Sequence, residues 1–430
     1  MKEDLKKTPL HGWHTAHGAN MAVFGGYHMP LWYPPGVREE HLTVITKAGI
    51  FDTSHMAVVM IAGEDAFELL QLCFTRDMSA CVGRDRAPLE PGRCVYGAYL
   101  NSDGGVIDDA IIYHMEENVY MTVVNAGMGG EIARHLMSHA NPGDIGITDL
   151  TDKVGKIDIQ GPMAARILME VLVNHEGIFE GMPYFTFKGH FDKSSPLAGT
   201  ALLADGVPVL LSRTGYTGEF GFEIFLDASH LVTAWEMIME AGEAFGLMPC
   251  GLAARDSLRV GAVLPLSHQD IGLWPFINNP WPFALPYNAG RTGFTKEFIG
   301  GSALMNADKP EYTYAFAGYD LRKVSVHDNP VVLDSEGNKI GEVLTCVSDM
   351  AIGRRGNRIY SIAGPDRPED FIPRGLCCGF VKVISELVSG QIVELKDNRR
   401  KIEVMIVDDI RPDRTAHRSI VKMMITAQVV

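Results

Sequence analysis

Apolar and polar positions alternate in short runs along much of this chain. Residues 94–100 and 106–113 are two such runs, and Asn101-Ser102-Asp103-Gly104-Gly105 between them is a strand–turn–strand signal. Residues 118–125 continue the pattern as a third strand. Residues 199–213 read as a hairpin hinged at Asp205-Gly206. Helical spacing appears elsewhere. Ala66, Leu69, Leu70 and Cys73 mark one face of residues 64–73, and Leu231, Trp235, Ile238 and Met239 mark a second helix that ends near Gly246. Residues 164–171, opened by Gly161-Pro162, make a third.

Past a Gly-, Asn- and Lys-rich stretch between Tyr287 and Tyr312 the pattern changes to short strands with tight turns. Residues 312–321, 330–333, 340–346, 391–395 and 401–406 read as strands, with a turn at 334–338, which predicts a small antiparallel barrel. A chain of 430 residues exceeds one ordinary hydrophobic core. The expected organisation is α+β, with residues 1–305 as one region of two lobes and 306–430 as a barrel domain.

Composition narrows the function classes. A formal net charge of −15 argues against nucleic acid as a partner, and it requires any anionic ligand to find a local basic pocket. No apolar run approaches the ~18 residues of a membrane span. The charged start, residues 1–7, has no apolar segment of the secretory kind, so a cytoplasmic location is expected. Seven cysteines (Cys73, Cys81, Cys94, Cys250, Cys346, Cys377, Cys378) contain no CxxC pair and read as reduced, mostly core thiols. Neither a metal-ligand cluster nor a Gly-rich nucleotide loop stands out.

Four segments place polar groups and glycines where a simple fold does not need them. One is Phe51-Asp52-Thr53-Ser54-His55-Met56; taken alone, His55 there reads as a strand-end residue. Another is the carboxylate pair Asp108-Asp109 at the start of an apolar strand, costly if buried, with alternation sending the two to opposite faces. The third, Arg213-Thr214-Gly215-Tyr216-Thr217-Gly218-Glu219-Phe220-Gly221-Phe222-Glu223, suggests a tight loop that lets a ligand approach backbone. In the fourth, after Pro249, a helix opens past Gly251 and puts Arg255 and Arg259 on one face, as an ion-pair set or an anion clamp.

Taken in order, these segments resemble the aminomethyltransferase family, the T-protein of the glycine cleavage system. Lys7-Thr8-Pro9-Leu10, Gly26-Tyr27-His28-Met29-Pro30-Leu31, Val123-Val124-Asn125 and Gln160-Gly161-Pro162 extend the match, which covers roughly residues 7–305. The resemblance implies a three-lobed cloverleaf around a central channel, the last lobe a β-barrel, with tetrahydrofolate in the channel as one-carbon acceptor. It implies that Asp109 is catalytic and faces inward, and that Tyr96, Asn125, Tyr216, Glu223 and Arg255 contact folate. A carboxylate such as Glu223 suits the donor edge of a pterin, an aromatic suits its ring, and an arginine suits the anionic glutamate tail. The implied donor is an aminomethyl group on the lipoyl arm of a carrier protein.

Departures from the family fall on the donor side. Ser267-His268-Gln269-Asp270 leads into Ile271-Gly272-Leu273-Trp274-Pro275-Phe276. Pro282 and Tyr287 then stand at the family's glutamate and tryptophan positions. Residues 348–353 replace a Ser-Pro-Thr-Leu-Gly turn, residues 354–374 are extra, and residues 408–414 differ from the usual ending. An alternative reading is therefore a tetrahydrofolate-dependent demethylase or methyltransferase for a small O-, S- or N-methylated compound. A folate-binding regulatory protein is a third, which the retention of Asp109 disfavours.

Overall fold

In the computed structural model, which describes residues 5–141, 145–306 and 311–426, two sheets and a barrel carry the chain. Residues 1–4 of the charged N-terminal stretch lie outside that range, and the expected join at 305/306 lies at the edge of it. The predicted hairpin and third strand are the strands Arg93–Leu100, Val106–Glu116 and Val119–Val124, all antiparallel. Ala57–Ala62 and Gly146–Asp149 complete a five-stranded sheet.

A second sheet of six strands runs Phe187–Gly189, Leu210–Ser212, Gly221–Asp227, Val154–Gln160, Ala48–Asp52, Leu247–Pro249. Only the last joins in parallel. Every residue of Val154–Gln160 is buried, so the strand is covered on both faces. Ile157 and Ile159 pack into the core under the helices Ala164–Val171 and Leu231–Gly242. Val154, on the other face, packs with Tyr113, Leu210 and Phe225 between the two sheets. Period-two alternation therefore sends Lys156 and Asp158 to the inter-sheet face as well.

The predicted hairpin at 199–213 forms differently. Its turn is at Asp205-Gly206, with Gly206 at φ +83°, but Leu202–Leu203 pairs with Leu172–Val173, and Leu210–Ser212 joins the larger sheet. Across the turn the arms are linked by the Leu202–Pro208 bridge, with backbone hydrogen bonds from Leu203 to Val207 and from Val209 to Ala201. Leu203, Val209 and Leu211 share one core, while Leu210 turns to the core between the sheets.

The barrel closes in the order Tyr312–Gly318, Leu376–Val383, Lys339–Asp349, Val331–Leu333, Ile392–Lys396, Lys401–Val407. Its central strand, Leu376–Val383, is absent from the sequence reading because its near-continuous burial leaves no alternation to see. All seven cysteines are free thiols, and Cys377 and Cys378 are barrel core. A small hairpin, Ile352–Arg355 with Arg358–Ser361, leads into the extra segment, and its Arg354 guanidinium donates to the carbonyls of Gly318 and Ala317. Among the described residues no helix is long and apolar enough to cross a membrane.

Buried charge joins the barrel to the rest. Asp349 on a barrel strand accepts from His41 at 2.9 Å and from Arg411 at 2.5 Å. Arg411 also reaches Glu219 at 3.2 Å and the carbonyl of Thr217 at 2.5 Å. Arg411 and Asp349 are fully buried, and Glu219 nearly so. Arg411→Met strands Asp349 and Glu219 without their cation, so a loss of about 3–5 kcal/mol is expected in denaturant unfolding; a variant as stable as the parent would refute this joint.

Candidate functional site

The tight turn before Asp108 is made by Asn101, whose side-chain oxygen accepts the backbone N–H of Asp103 at 3.0 Å and of Gly105 at 2.9 Å. Gly104 sits at φ +82° against Leu304, where a side chain is both strained and crowded. The chain then enters Val106–Glu116 with an irregularity opposite Tyr99 and Leu100, which sets the phase of the carboxylates. Ala110 and Ile112 pack into the helix-side core, and Tyr113 and Ile111 into the inter-sheet core. By alternation Asp109 shares the inter-sheet face, and the small Ala98 opposite it leaves room.

Asp109 is tightly held. Its Oδ2 accepts from the Tyr96 hydroxyl at 2.8 Å and its Oδ1 from the Asn125 amide at 2.7 Å. Asp108 takes the opposite, helix-side face of the strand, as alternation requires. It is fully buried, yet its Oδ1 also accepts from the Asn125 side chain at 2.8 Å and its Oδ2 from the Asn125 backbone at 2.8 Å. Asn125 lies just beyond the end of Val119–Val124, so its amide reaches round the strand edge to both carboxylates. Burial raises Asp109 well above the usual carboxylate range, and the neighbouring Asp108 raises it further. Burial likewise raises Asp108, against the pull of its hydrogen bonds. Burial and Asp109 together push the Tyr96 phenol up, so it stays a donor.

A second knot forms on the larger sheet, where Glu223 pairs across strands with Asp158, and Asp158 with Phe51. Lys156 donates to Asp158 at 2.5 Å and to Glu223 at 2.6 Å. Arg255 donates to the other Asp158 oxygen at 2.6 Å, and Thr53 donates to Asp158 at 2.7 Å. Glu223 Oε2 accepts from Thr214 at 2.5 Å and from Tyr113, on the facing sheet, at 3.3 Å. Burial alone would raise Asp158, but Lys156 and Arg255 hold it well below the usual range. Arg255 lies over the Tyr216 ring at 5.0 Å, and the Tyr216 hydroxyl donates to the carbonyl of Pro265.

The residues expected at the site thus fall into two adjoining groups. Tyr96, Asp109 and Asn125 form one. Tyr216, Arg255 and Glu223 form the other, joined through Lys156 and Asp158. The two groups feel each other, since Asp109 raises the Tyr216 phenol and Tyr216 acts on Tyr96. Arg255 gives Nη1 to Asp158 and so forms part of the wall of the site. Arg259, fully buried, pairs with Asp270 and Asp256, the ion-pair alternative. Lys156, Asp158 and Tyr113 escaped the sequence reading, although charged residues alternating with Ile157 and Ile159 were a visible signal.

Around this centre residues 267–287 form a hydrogen-bonded wall. Val106 and Phe276 exchange backbone hydrogen bonds with Gly272 and Gly104, and the buried Trp281 donates to the carbonyl of Val263 at 2.8 Å. Phe283, 48% exposed, lies 5.8 Å from the Tyr96 ring, and His268 stands 3.8 Å from Asp108. His55, flanked by Phe24 and Tyr27, keeps a buried Nδ1 without a partner among the described residues. Burial pushes its ring down to about 4, so it is neutral near pH 7. Away from this site Cys73, His135 and His139 come together, with one potential ligand atom of each within 4.8 Å of the others.

Comparison with known proteins gives a consistent picture. The GCVT N-terminal domain family matches residues 10–273. An aminomethyltransferase of Caldanaerobacter subterraneus subsp. tengcongensis is 34% identical over 347 residues, 80% of this chain and 84% of that protein. The aminomethyltransferase of Bacillus subtilis is 32% identical over 352 residues, 81% of this chain and 89% of that protein. The crystal structure of glycine cleavage system aminomethyltransferase T from Bartonella henselae superposes with a TM-score of 0.71 at 27% identity, covering 94% of this chain and 97% of that one.

The second knot makes a stability prediction. Lys156→Met leaves Glu223 and part of Asp158 uncompensated and should cost about 3–5 kcal/mol in denaturant unfolding. Adding Glu223→Gln should recover a good part of that loss, because the stranded charge is gone. Equal stabilities for the parent and Lys156→Met would show that Lys156 does not hold the knot.

Proposed function

The chain belongs to the aminomethyltransferase family, and we infer that it transfers the carbon of an aminomethyl group, borne on the lipoyl arm of a carrier protein, to tetrahydrofolate, with release of ammonia and of the carrier's lipoyl arm as the free thiol. We place this reaction in the cytoplasm. The observation that supports it most is the Asp109 carboxylate, fixed between Tyr96 and Asn125 on the face between the sheets. The polarity of the surroundings fits a pterin, which alternates donors and acceptors along its edge. Asp109 and Glu223 offer acceptors, and Tyr96 and Tyr216 offer aromatic faces.

Bound tetrahydrofolate supplies the nucleophilic nitrogen that takes the carbon. The protein's part is to hold that nitrogen in line and to handle its proton. Asp109, charged and kept from rotating by two donors, accepts the proton that leaves as the new carbon–nitrogen bond forms. Asn125 orients both carboxylates at once. The neighbouring Asp108 raises the proton affinity of Asp109, bringing it closer to working pH, where a general base is most effective. Glu223 meets the ligand already held by Lys156, Thr214 and Tyr113, so its geometry is set before binding. Phe283 and the wall behind it bound the side from which the lipoyl arm enters.

Two predictions follow from these roles. Asp109→Asn keeps size and much of the hydrogen bonding but removes the base; turnover with aminomethylated carrier and tetrahydrofolate should fall about 10²-fold or more. Folate affinity by calorimetry should change far less. Near-parental turnover in that variant would remove Asp109 from the chemistry.

The second uses pH. If ionised Asp109 is the working form, kcat/KM rises with pH through its raised pKa. Asp108→Asn deletes the negative charge that helps to raise it, so the acid limb should move to lower pH. An unmoved limb, or one moved to higher pH, would show that the pair is not electrostatically coupled as described.

A further inference from the structure

The helices Ala66–Cys73 and Gly129–His139 pack side by side on the five-stranded sheet, on the side away from the carboxylate site. Their C-terminal ends bring Cys73 to His135 and His139, two histidines of one helix far along the chain from it. One ligand atom each from Cys73, His135 and His139 lies within 4.8 Å of the others. His135 and His139 are one turn apart on a single helix face, the spacing at which two imidazoles reach one point.

Three independent features show that these atoms lack ordinary partners. His135 Nε2 is buried and has no hydrogen-bond partner among the described residues. Cys73 is 1% exposed, and no described residue hydrogen-bonds its sulfur. His139 Nδ1 lies 2.9 Å from the carbonyl of His135, to which its N–H donates, leaving Nε2 with a free lone pair. That last contact is the arrangement by which metal-binding histidines are held, with the second ring nitrogen tied to a carbonyl.

We propose that Cys73, His135 and His139 bind a borderline-soft divalent cation, zinc by donor type, with a fourth position open to water. Donors held ~2.0–2.3 Å from one zinc ion stand roughly 3.3–3.8 Å from each other, so small side-chain rotations close the triangle. A thiolate with two imidazoles selects zinc over magnesium or calcium, which prefer oxygen. Binding releases the thiol proton to solvent and forms the sulfur–metal bond. His139 is exposed at the helix end and gives the ion its entry. The site would clamp two helices of the lobe that carries Tyr96, Asp109 and Asn125, and it requires nothing of the folate reaction.

The test uses the full chain, stripped with a chelator and titrated with zinc or cobalt alone. One equivalent should bind, with a sulfur-to-cobalt charge-transfer band and a higher melting temperature in zinc. His139→Ala, at an exposed helix end, should keep its metal-free melting temperature but bind at least tenfold more weakly. Cys73→Ala should lose the charge-transfer band and the zinc-dependent rise in melting temperature. Failure of the parent to bind one equivalent would overturn the proposal, as would binding that both variants leave unchanged.

Discussion

One buried ammonium sets the terms for the centre of this molecule. Lys156 is 2% exposed and lies between two carboxylates, Asp158 and Glu223, on neighbouring strands of one sheet. Desolvating such a group is tolerable only when its partners are fixed. Here they are: Arg255 and Thr53 complete Asp158, and Thr214 and Tyr113 complete Glu223. The two cations and two anions balance. Because the members come from the segments 51–56, 154–160, 213–223 and 251–256, pairing them fixes four separated stretches relative to one another.

The same knot connects the sheets. Tyr113 belongs to the strand that also carries Asp109, and its hydroxyl ends on Glu223. The position of the proposed base is thereby tied to that of the second knot. The barrel is bound in by another charged joint, where Arg411 meets both Asp349 and Glu219, the latter within the Arg213–Glu223 loop. A site assembled from two sheets and braced by a third unit is preorganised, which is the condition for electrostatic and positional catalysis.

Much of this was legible in the sequence. The Asp-Gly turn and its flanking strands, the helix at residues 164–171 and most barrel strands were marked by local pattern and turn chemistry. Family resemblance, rather than period, identified Tyr96, Asn125, Tyr216, Glu223 and Arg255 as a set. Alternation correctly separated Asp108 from Asp109, but it could not show that Asn125, sixteen residues past Asp109, bends round the strand edge to hold both. Lys156 and Asp158 were missed because a charged residue in a strand ordinarily faces water, and only sheet-on-sheet packing turns that face inward. The cluster of Cys73 with His135 and His139 is invisible to spacing because it depends on how two helices dock.

The segment that holds Pro282 and Tyr287 is the part of the chain expected to face the one-carbon donor. The most direct test of the account is therefore the fate of the donated carbon in a single turnover. Enzyme, tetrahydrofolate and a carrier bearing an isotopically labelled aminomethyl group are mixed, and label and ammonia are followed together. The account predicts label in methylene-tetrahydrofolate with one ammonia released per carbon transferred. No transfer from the carrier, with efficient methyl transfer from a small methylated compound to tetrahydrofolate instead, would contradict it.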